Sequence, residues 1–282
     1  MKKRYYQKVE IKKSHGGYEK FSPTKLYRSL QYAGLSRGTA NRIVDEVKKD
    51  VSKGDSTKDI YRRAYSLIRR ESSVAAVHYS LKKSLLELGP TGFIFEVFVS
   101  KLFQEVGFET KTGFTYQGLW VCHEVDVIIT KNGKRYFIEC KFHNNSSHKN
   151  DIKVVLYIKA RWDDLKQGPE GHNLAGYYVA SNTAFTADAL RYAEGTGLEL
   201  LGVNAPKGNS FIKIVEERKL YPITSLTRLK KNIRQQLLSK NIILCKELLD
   251  NRLVLEQLGM GNDQINLLFK DIATLTVGKV ET

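Results

Sequence analysis

Asn132 and Gly133 constrain the fold of this chain more than any other pair of residues. They separate two runs with alternating apolar residues, HEVDVIITK before them and KRYFIECKF after them. An Asn-Gly pair in this setting favours a two-residue type I′ turn, because both turn residues must adopt positive φ. The sequence therefore predicts a β-hairpin in which the numbers of facing residues sum to 265, the sum of the two turn positions.

This register places Asp126 opposite Glu139 and Glu124 opposite Lys141, with all four side chains on one face. Like charges directly opposite each other destabilise a sheet, yet their Cβ atoms lie only about 4.5–5.5 Å apart. At that distance two carboxylates can share one hard cation such as Mg²⁺. A solvated polar face, with Lys141 relieving the repulsion, is the alternative interpretation.

Two acids and a lysine are also the groups that metal-assisted hydrolysis of a phosphodiester needs. The acids hold the metal, the metal lowers the pKa of its water, and the lysine neutralises the negative charge that develops. The pattern therefore favours a catalytic site over a solvated face.

Composition places the chain among globular proteins. It has 282 residues, long enough for about two domains, of which 41% are hydrophobic and 27% charged. We find no apolar run near the roughly 20 residues of a transmembrane helix, and the basic amino end lacks the apolar core of a signal peptide. The three cysteines lack CxxC spacing, so neither disulfides nor a zinc site are indicated. A cytoplasmic location with no membrane partner is expected.

The net charge of +16 is concentrated near the amino end. Residues 1–90 contain 21 Lys and Arg against 9 Asp and Glu, a net +12, and the remainder of the chain carries +4. Such a field attracts polyanions, and nucleic acid or a nucleotide is the expected partner.

Three segments follow from helix caps, glycine and proline signals and apolar spacing. Residues 1–89 are mostly helical and end at Gly89-Pro90, residues 90–220 alternate helices with strands, and residues 221–282 are all-helical. The predicted fold class is α/β, with a mostly helical segment before the α/β segment and an all-helical segment after it.

The middle segment resembles the PD-(D/E)XK nuclease superfamily, and most of all its Mrr-like branch of type IV restriction endonucleases. The resemblance rests on GFIFEVFVSKLFQEVGFET with Glu96, HEVDVII with Asp126, FIECKF with Glu139 and Lys141, and the later SNTAFTADALRYAEGTGLELLG. It implies an α/β/α fold with a mixed central sheet and four catalytic residues: Glu96, Asp126, Glu139 and Lys141.

The same resemblance implies a metal site for Mg²⁺ or Mn²⁺ made by Asp126, Glu139 and the carbonyl of Cys140. Lys141 would activate the water and stabilise the pentacovalent phosphate. Many members carry a glutamine on the helix after the second strand, and this sequence has no obvious match to it. Lys153, Lys159 and Arg161 are the candidates to replace it.

The amino-terminal segment resembles the ATP-cone, a nucleotide-sensing domain. A lysine pair, a Gly-Gly turn, a phenylalanine, a helix-borne lysine and a later Ser-Thr-x-x-Ile match its pattern, although Lys13 stands where an arginine is usual and the turn is one residue longer. The resemblance implies ATP or dATP as regulatory nucleotide. The implied nucleotide-binding residues are Lys12, Lys13, Glu19, Phe21, Lys25, Leu26, Thr57 and Lys82.

The helical tail contains Gly259 and Gly261 in LEQLGMGNDQINLLF. A helix–hairpin–helix unit would present their amides to a DNA phosphate, whereas a dimerisation or packing element is the simpler interpretation.

The sequence thus predicts a nucleotide-regulated, Mg²⁺-dependent DNA endonuclease of restriction or defence, acting as a homo-oligomer. A non-catalytic DNA-binding regulator that senses nucleotides is the alternative, and RNA or branched DNA is an alternative substrate.

Overall fold

The structure is a computed structural model that describes residues 9–13, 16–89, 91–206 and 208–277. The chain forms two compact units, which divide between Ser80 and Leu81. This division falls inside the helix Ser73–Leu86, whereas the sequence predicts a boundary at Gly89-Pro90. Pro90 itself lies outside the described residues.

The first unit joins a two-stranded antiparallel ribbon to helices. Ser22 caps the first helix through its side chain, and Pro23 occupies the first helical turn, as the sequence predicts. Leu30, Ile43 and Ile68, each from a different helix, meet in its core. The elements are β1 Glu10–Lys12, β2 Tyr18–Lys20, α1 Pro23–Tyr32, α2 Arg37–Asp50, α3 Thr57–Glu71 and α4 Ser73–Leu86.

The second unit begins within α4 and contains a five-stranded sheet with helices. Its α/β part is made of α5 Gly92–Glu105, β3 Glu109–Gln117, β4 Cys122–Lys131, β5 Lys134–Lys141, β6 Lys149–Asn150, α6 Ile152–Gln167, β7 Leu174–Ser181, β8 Ala184–Phe185, α7 Ala187–Thr196 and β9 Glu199–Leu201. Four helices follow, α8 Phe211–Arg218, α9 Lys231–Ser239, α10 Arg252–Gln257 and α11 Asn262–Val277.

The sheet is mixed, in the order β3-β4-β5-β7-β9. The β3–β4 and β4–β5 pairs are antiparallel, and the β5–β7 and β7–β9 pairs are parallel. This confirms the predicted mixed α/β class. The strand β3 is not predicted from the sequence, because its residues ETKTGFTYQ are mostly polar. It lies at an exposed edge of the sheet.

The β4–β5 hairpin has the predicted turn and register over its first half. Asn132 and Gly133 both have positive φ, and facing residues sum to 265 from Lys131–Lys134 to Val127–Ile138. Beyond that pair the two strands separate. Asp126 and Glu139 are therefore neighbours at the start of a split and not a ladder pair, which corrects the predicted facing arrangement.

The split arises because each strand continues with a different partner. The pairing of β4 with β3 runs on to Cys122 opposite Gln117, while that of β5 with β7 runs on to Lys141 opposite Ser181. Past the split, Val125 joins the core formed by the sheet and α6. The split thus leaves the two acids at an opening between strands.

The carboxyl-terminal segment is helical, as the sequence predicts, and packs onto the second unit. The hydroxyl of Thr224 donates to the carbonyl of Ser84 at 2.9 Å, and Lys101 of α5 forms an ion pair with Glu247. Gly259, at positive φ, lies between α10 and α11. Among the described residues, no helix is long and apolar enough to cross a membrane.

Candidate active site

Asp126 lies at the point where β4 leaves β5. Its Oδ2 atom accepts a hydrogen bond from the backbone N–H of Cys140 at 2.7 Å. A side chain therefore replaces the main-chain partner that the parting strand would have supplied. The bond fixes Asp126 next to the strand that carries Glu139 and Lys141.

Glu139 is held between two cations. Its Oε1 accepts from Nζ of Lys141 at 2.5 Å, and its Oε2 accepts from Nη1 of Arg161 on α6, also at 2.5 Å. The Glu139 side chain is only 6% exposed. A buried carboxylate needs such partners, because desolvation of an unpaired charge is costly.

Lys153, Lys159 and Arg161 are the three predicted replacements for the glutamine of the family. Of these, only Arg161 lies at the acids. Its second nitrogen, Nη2, donates to the carbonyl of Glu124, so one guanidinium joins both separated strands. Lys159 instead pairs with Asp163 on the same helix, and Lys153 is exposed near the start of α6. Helical spacing alone gives no means of ranking the three.

Glu96 on α5 joins the acids. Burial, followed by the charges of Asp126, Glu124 and Glu139, raises the pKa of Glu96 to about 7. Burial and the charge of Glu139 raise the pKa of Asp126 to about 6, despite the opposing hydrogen bond from Cys140. The structure thus gathers the four residues predicted to be catalytic into one cluster whose negative charge is incompletely neutralised.

The donor chemistry of this cluster fits a hard divalent cation, since Glu96, Asp126 and Glu139 offer carboxylate oxygens. In the part of the chain that the structure describes, however, no three His, Cys, Asp or Glu side chains converge closely enough to hold a metal by themselves. Two carboxylates, a backbone carbonyl and water make a reasonable set for Mg²⁺, which usually retains several waters.

A buried polar network supports the strand end that bears Lys141, and sequence analysis missed it. The hydroxyl of Ser181 donates to the carbonyl of Lys141 at 2.8 Å and accepts from the fully buried Asn150, also at 2.8 Å. Asn182 makes two 2.8 Å bonds with the backbone of His143. The sequence signal for this network is Ser181-Asn182-Thr183, three polar residues at the end of an apolar strand.

In the first unit, five of the predicted nucleotide-binding residues line one cavity of about 210 Å³. Lys25 reaches Glu19 with a 3.2 Å ion pair. Tyr61 and Tyr79 lie at the same cavity and stack on each other with ring centroids 5.2 Å apart. The five predicted residues are Glu19, Phe21, Lys25, Leu26 and Thr57.

The other three predicted nucleotide-binding residues are placed differently. Lys12 pairs through its backbone with Ser56, and its carbonyl accepts from the hydroxyl of Thr57 at 3.3 Å. Lys13 follows β1 directly and is half-buried. Lys82 is exposed and belongs to the second unit.

Comparison with known proteins identifies the second unit. Residues 90–205 match the family model Mrr_cat, described as a restriction endonuclease, and residues 221–276 match the model described as AF1548-like, C-terminal. An uncharacterized protein of Archaeoglobus fulgidus is 35% identical over 149 residues, which are 53% of this chain and 82% of that protein. The chain belongs to the family of this archaeal protein.

Two solved structures are similar to this chain over about two thirds of its length. The crystal structure of AF1548, a protein of unknown function, is 28% identical to this chain and has a TM-score of 0.54. The match covers 67% of this chain and all of that one. A structure of Can2 from Sulfobacillus thermosulfidooxidans in complex with cyclic tetra-adenylate is 14% identical with a TM-score of 0.32, over 69% of this chain and 63% of that one. The match of residues 90–205 and the mixed sheet are consistent with a restriction-endonuclease-like fold in the second unit.

Proposed function

We propose that this protein is a Mg²⁺- or Mn²⁺-dependent DNA endonuclease of restriction or defence, regulated by a nucleotide bound in its first unit. The observation that carries the proposal is the clustering of Glu96, Asp126, Glu139 and Lys141 at the split between β4 and β5. This cluster lies within residues 90–205, which match the restriction endonuclease model.

In this proposal Asp126, Glu139 and the carbonyl of Cys140 hold the cation, with Glu96 as a further acid beside them. The cation, when bound, supplies Lewis-acid activation of a water and of the phosphate. Arg161 keeps Glu139 oriented through Oε2, which leaves Oε1 as the oxygen that Lys141 can release. Nζ of Lys141 then donates to the scissile phosphate or to the attacking water and offsets the charge of the pentacovalent phosphate.

Cleavage of supercoiled plasmid DNA by the full chain tests the proposal. We expect nicked or linear DNA in Mg²⁺ or Mn²⁺ and none in EDTA. Asp126→Asn, Glu139→Gln and Lys141→Ala should each reduce the rate at least about 100-fold, since single catalytic groups contribute about that much or more. Glu109→Gln, an exposed acid on β3, serves as the matched control and should cleave like the wild type.

The same assay on methylated and unmethylated DNA, and with ATP, dATP or ADP, defines the substrate and the regulation. Cleavage that persists in Glu139→Gln and Lys141→Ala would contradict the catalytic assignment. RNA and branched DNA belong in the panel, because the site selects a phosphodiester and not a particular strand.

Nucleotide regulation is supported by the cavity of the first unit. An apolar and aromatic lining with lysines near its edge suits a base together with its phosphates. We assign ATP or dATP to this cavity, with Lys25 as the phosphate contact that its cavity position supports best.

A second candidate is a non-catalytic DNA-binding regulator that senses nucleotides. It is favoured by one observation, the double ion pair that already neutralises Glu139. A regulator would bind DNA in EDTA and in Mg²⁺ and leave it intact in both. An endonuclease would lose that DNA as product once Mg²⁺ is added.

A further inference from the structure

The loop between β3 and β4 exposes a compact apolar tip made of Leu119, Trp120 and Val121. The Trp120 side chain is 80% exposed, and its two neighbours are also exposed. Placing a large indole in water at the end of a ribbon does not stabilise the fold, because the hydrophobic effect favours its burial. The tip therefore calls for an explanation outside the folded core.

Asp164 of α6 fixes this loop. Its Oδ1 accepts from the backbone N–H of Trp120 at 2.9 Å, and its Oδ2 accepts from that of Val121 at 3.3 Å. Nε2 of His123 lies 2.7 Å from the same Oδ2, and the N–H of Leu119 donates to the Asp164 carbonyl at 3.0 Å. Most of the short loop is thus tied to one helical residue.

Two glycines permit the close approach of the loop to α6. A Cβ atom on Gly118 would lie 2.0 Å from Oδ2 of Asp164, and one on Gly168 would lie 2.5 Å from the carbonyl of Gln117. Neither position has room for a side chain. The loop is therefore rigid and preorganised, and it loses little conformational entropy when Trp120 binds a ligand.

The loop is bound to α6, the same helix that contributes Arg161 to the candidate active site. Asp164 follows Arg161 by three residues, about one turn or roughly 5 Å along the helix axis. Tyr157, 59% exposed, precedes Arg161 by one turn and lies beneath its guanidinium, with the ring centroid 5.6 Å away. Tyr157 thus lies one turn before Arg161 on α6, and Asp164, which binds the Trp120 loop, lies one turn after it.

We propose that Trp120 stacks on an unpaired nucleobase of the DNA that the protein engages, a few nucleotides from the phosphate at the acids. This rests on the proposed function. Each base offers a π-face, so an exposed rigid indole holds single-stranded DNA without regard to sequence. Residues 91–282, which contain the loop and the acids, carry a net charge of +4, which adds attraction to the phosphates.

The size of the tip favours a base over a protein partner. Three loop residues present far less than the roughly 800 Å² per partner that a stable protein interface buries. One indole has the dimensions of one nucleobase. A second copy of this chain is accordingly an outcome to be tested and not the proposed occupant.

Equilibrium binding of the full chain to DNA in EDTA tests the proposal without any need for cleavage. Two DNAs of equal length carry 2-aminopurine, unpaired in a short gap in one and paired in the other. We expect tighter binding of the gapped DNA, with a change in 2-aminopurine fluorescence. Trp120→Ala should weaken binding to gapped DNA roughly 5- to 100-fold, the range for loss of one stacked base.

Trp120→Phe keeps an aromatic face and should retain most of the affinity. Leu253→Ala, which removes a 71% exposed apolar side chain from α10, is the matched control and should bind like the wild type. The stacking proposal is overturned if Trp120→Ala equals the wild type on gapped DNA or weakens both DNAs equally. It is also overturned if the wild type gains nothing from the gap, or if the substitution changes the sedimenting mass.

Plasmid cleavage in Mg²⁺ separates this inference from the proposed function. A wild-type protein that shows the Trp120-dependent signal but cuts nothing would contradict the nuclease and support the stacking. An active nuclease whose gapped-DNA binding ignores Trp120 would contradict the stacking alone.

Discussion

Asp126 is held where its own charge opposes folding. Burial and the neighbouring charge of Glu139 raise its pKa to about 6, well above the ordinary value of an aspartate. When folding raises the pKa of an acid, ionisation of that acid at a pH above the raised pKa destabilises the folded state. Such a cost is typical of functional sites, and here it is the charge that a cation would neutralise.

We therefore predict that Asp126→Asn stabilises the metal-free protein at pH 7.5. The native-state pKa is the raised one, so the destabilisation is absent below about pH 4, grows as pH rises to about 6, and is complete above it. Asparagine keeps an oxygen for the N–H of Cys140 and removes the charge. A gain of about 1–3 kcal/mol in the free energy of unfolding should result, measured by urea denaturation in EDTA.

The pH dependence provides the check on this prediction. The gain should disappear at pH 4, and Mg²⁺ should stabilise the wild type but not Asp126→Asn. Glu109→Gln should show neither effect. Asp126→Asn that is less stable than the wild type at pH 7.5 would show that the carboxylate is needed for folding.

At the scale of the element, local signals and long-range pairing decide different parts of the same hairpin. The turn at Asn132-Gly133 sets the register of β4 against β5. β4 pairs with β3, and β5 pairs with β7, on both sides of the point where β4 and β5 separate, so each strand keeps an outer partner beyond it. The opening at the two acids forms because β4 and β5 each continue to pair with an outer strand after they separate from each other.

The capping box of α3 is an element whose stability we predict directly. Ser56 accepts from the N–H of Asp59, and the carboxylate of Asp59 accepts from the N–H and hydroxyl of Ser56. Ser56→Ala removes the side-chain acceptor of the Asp59 N–H and the hydroxyl that donates to the Asp59 carboxylate, and should cost about 1 kcal/mol. Hydrogen exchange of the α3 amides in the full chain at pH 7 measures this without interference from the second unit.

Ser66→Ala is the control in the same helix. Ser66 is an exposed residue in its middle, where alanine has the higher helix propensity, so a gain of a few tenths of a kcal/mol is expected. Equal effects of the two substitutions would contradict a specific capping role. The folded-state pKa of Asp59 is lowered to about 2, mainly by the hydroxyl of Ser56, so the contribution of its charge is present above about pH 4 and is lost as pH falls to about 2.

At the scale of the whole molecule, two units divide the proposed tasks. The cavity lined by Lys25 and Thr57 belongs to the first unit, and the acids around Glu139 belong to the second. Each unit has its own core, so a ligand of one unit first stabilises that unit.

We predict that ATP or dATP slows hydrogen exchange in α1 and α3, the helices that line the cavity. Lys25→Ala should abolish this protection because it removes the proposed phosphate contact. Lys53→Ala, which removes an exposed lysine of the same unit, should leave it unchanged. Protection that survives Lys25→Ala, or that is absent from both helices in the wild type, would contradict nucleotide binding at this cavity.

The sequence by itself determined the locally encoded features. The Asn132-Gly133 turn, the Ser22 cap with Pro23, and the apolar strand LAGYYVAS each carry their signal within a few residues, and each is found as predicted. The four residues predicted to be catalytic come from family resemblance, and their clustering follows from two strands and one helix that lie close together along the chain.

Only the tertiary structure decided what depends on contacts between distant residues. It selected Arg161 as the partner of Glu139, separated the strands at Asp126, and mounted Trp120 on Asp164. These contacts join residues that are between 22 and 44 positions apart along the chain. Helical and strand periodicity show which face a side chain occupies, but the neighbour it meets there is set by how the elements pack.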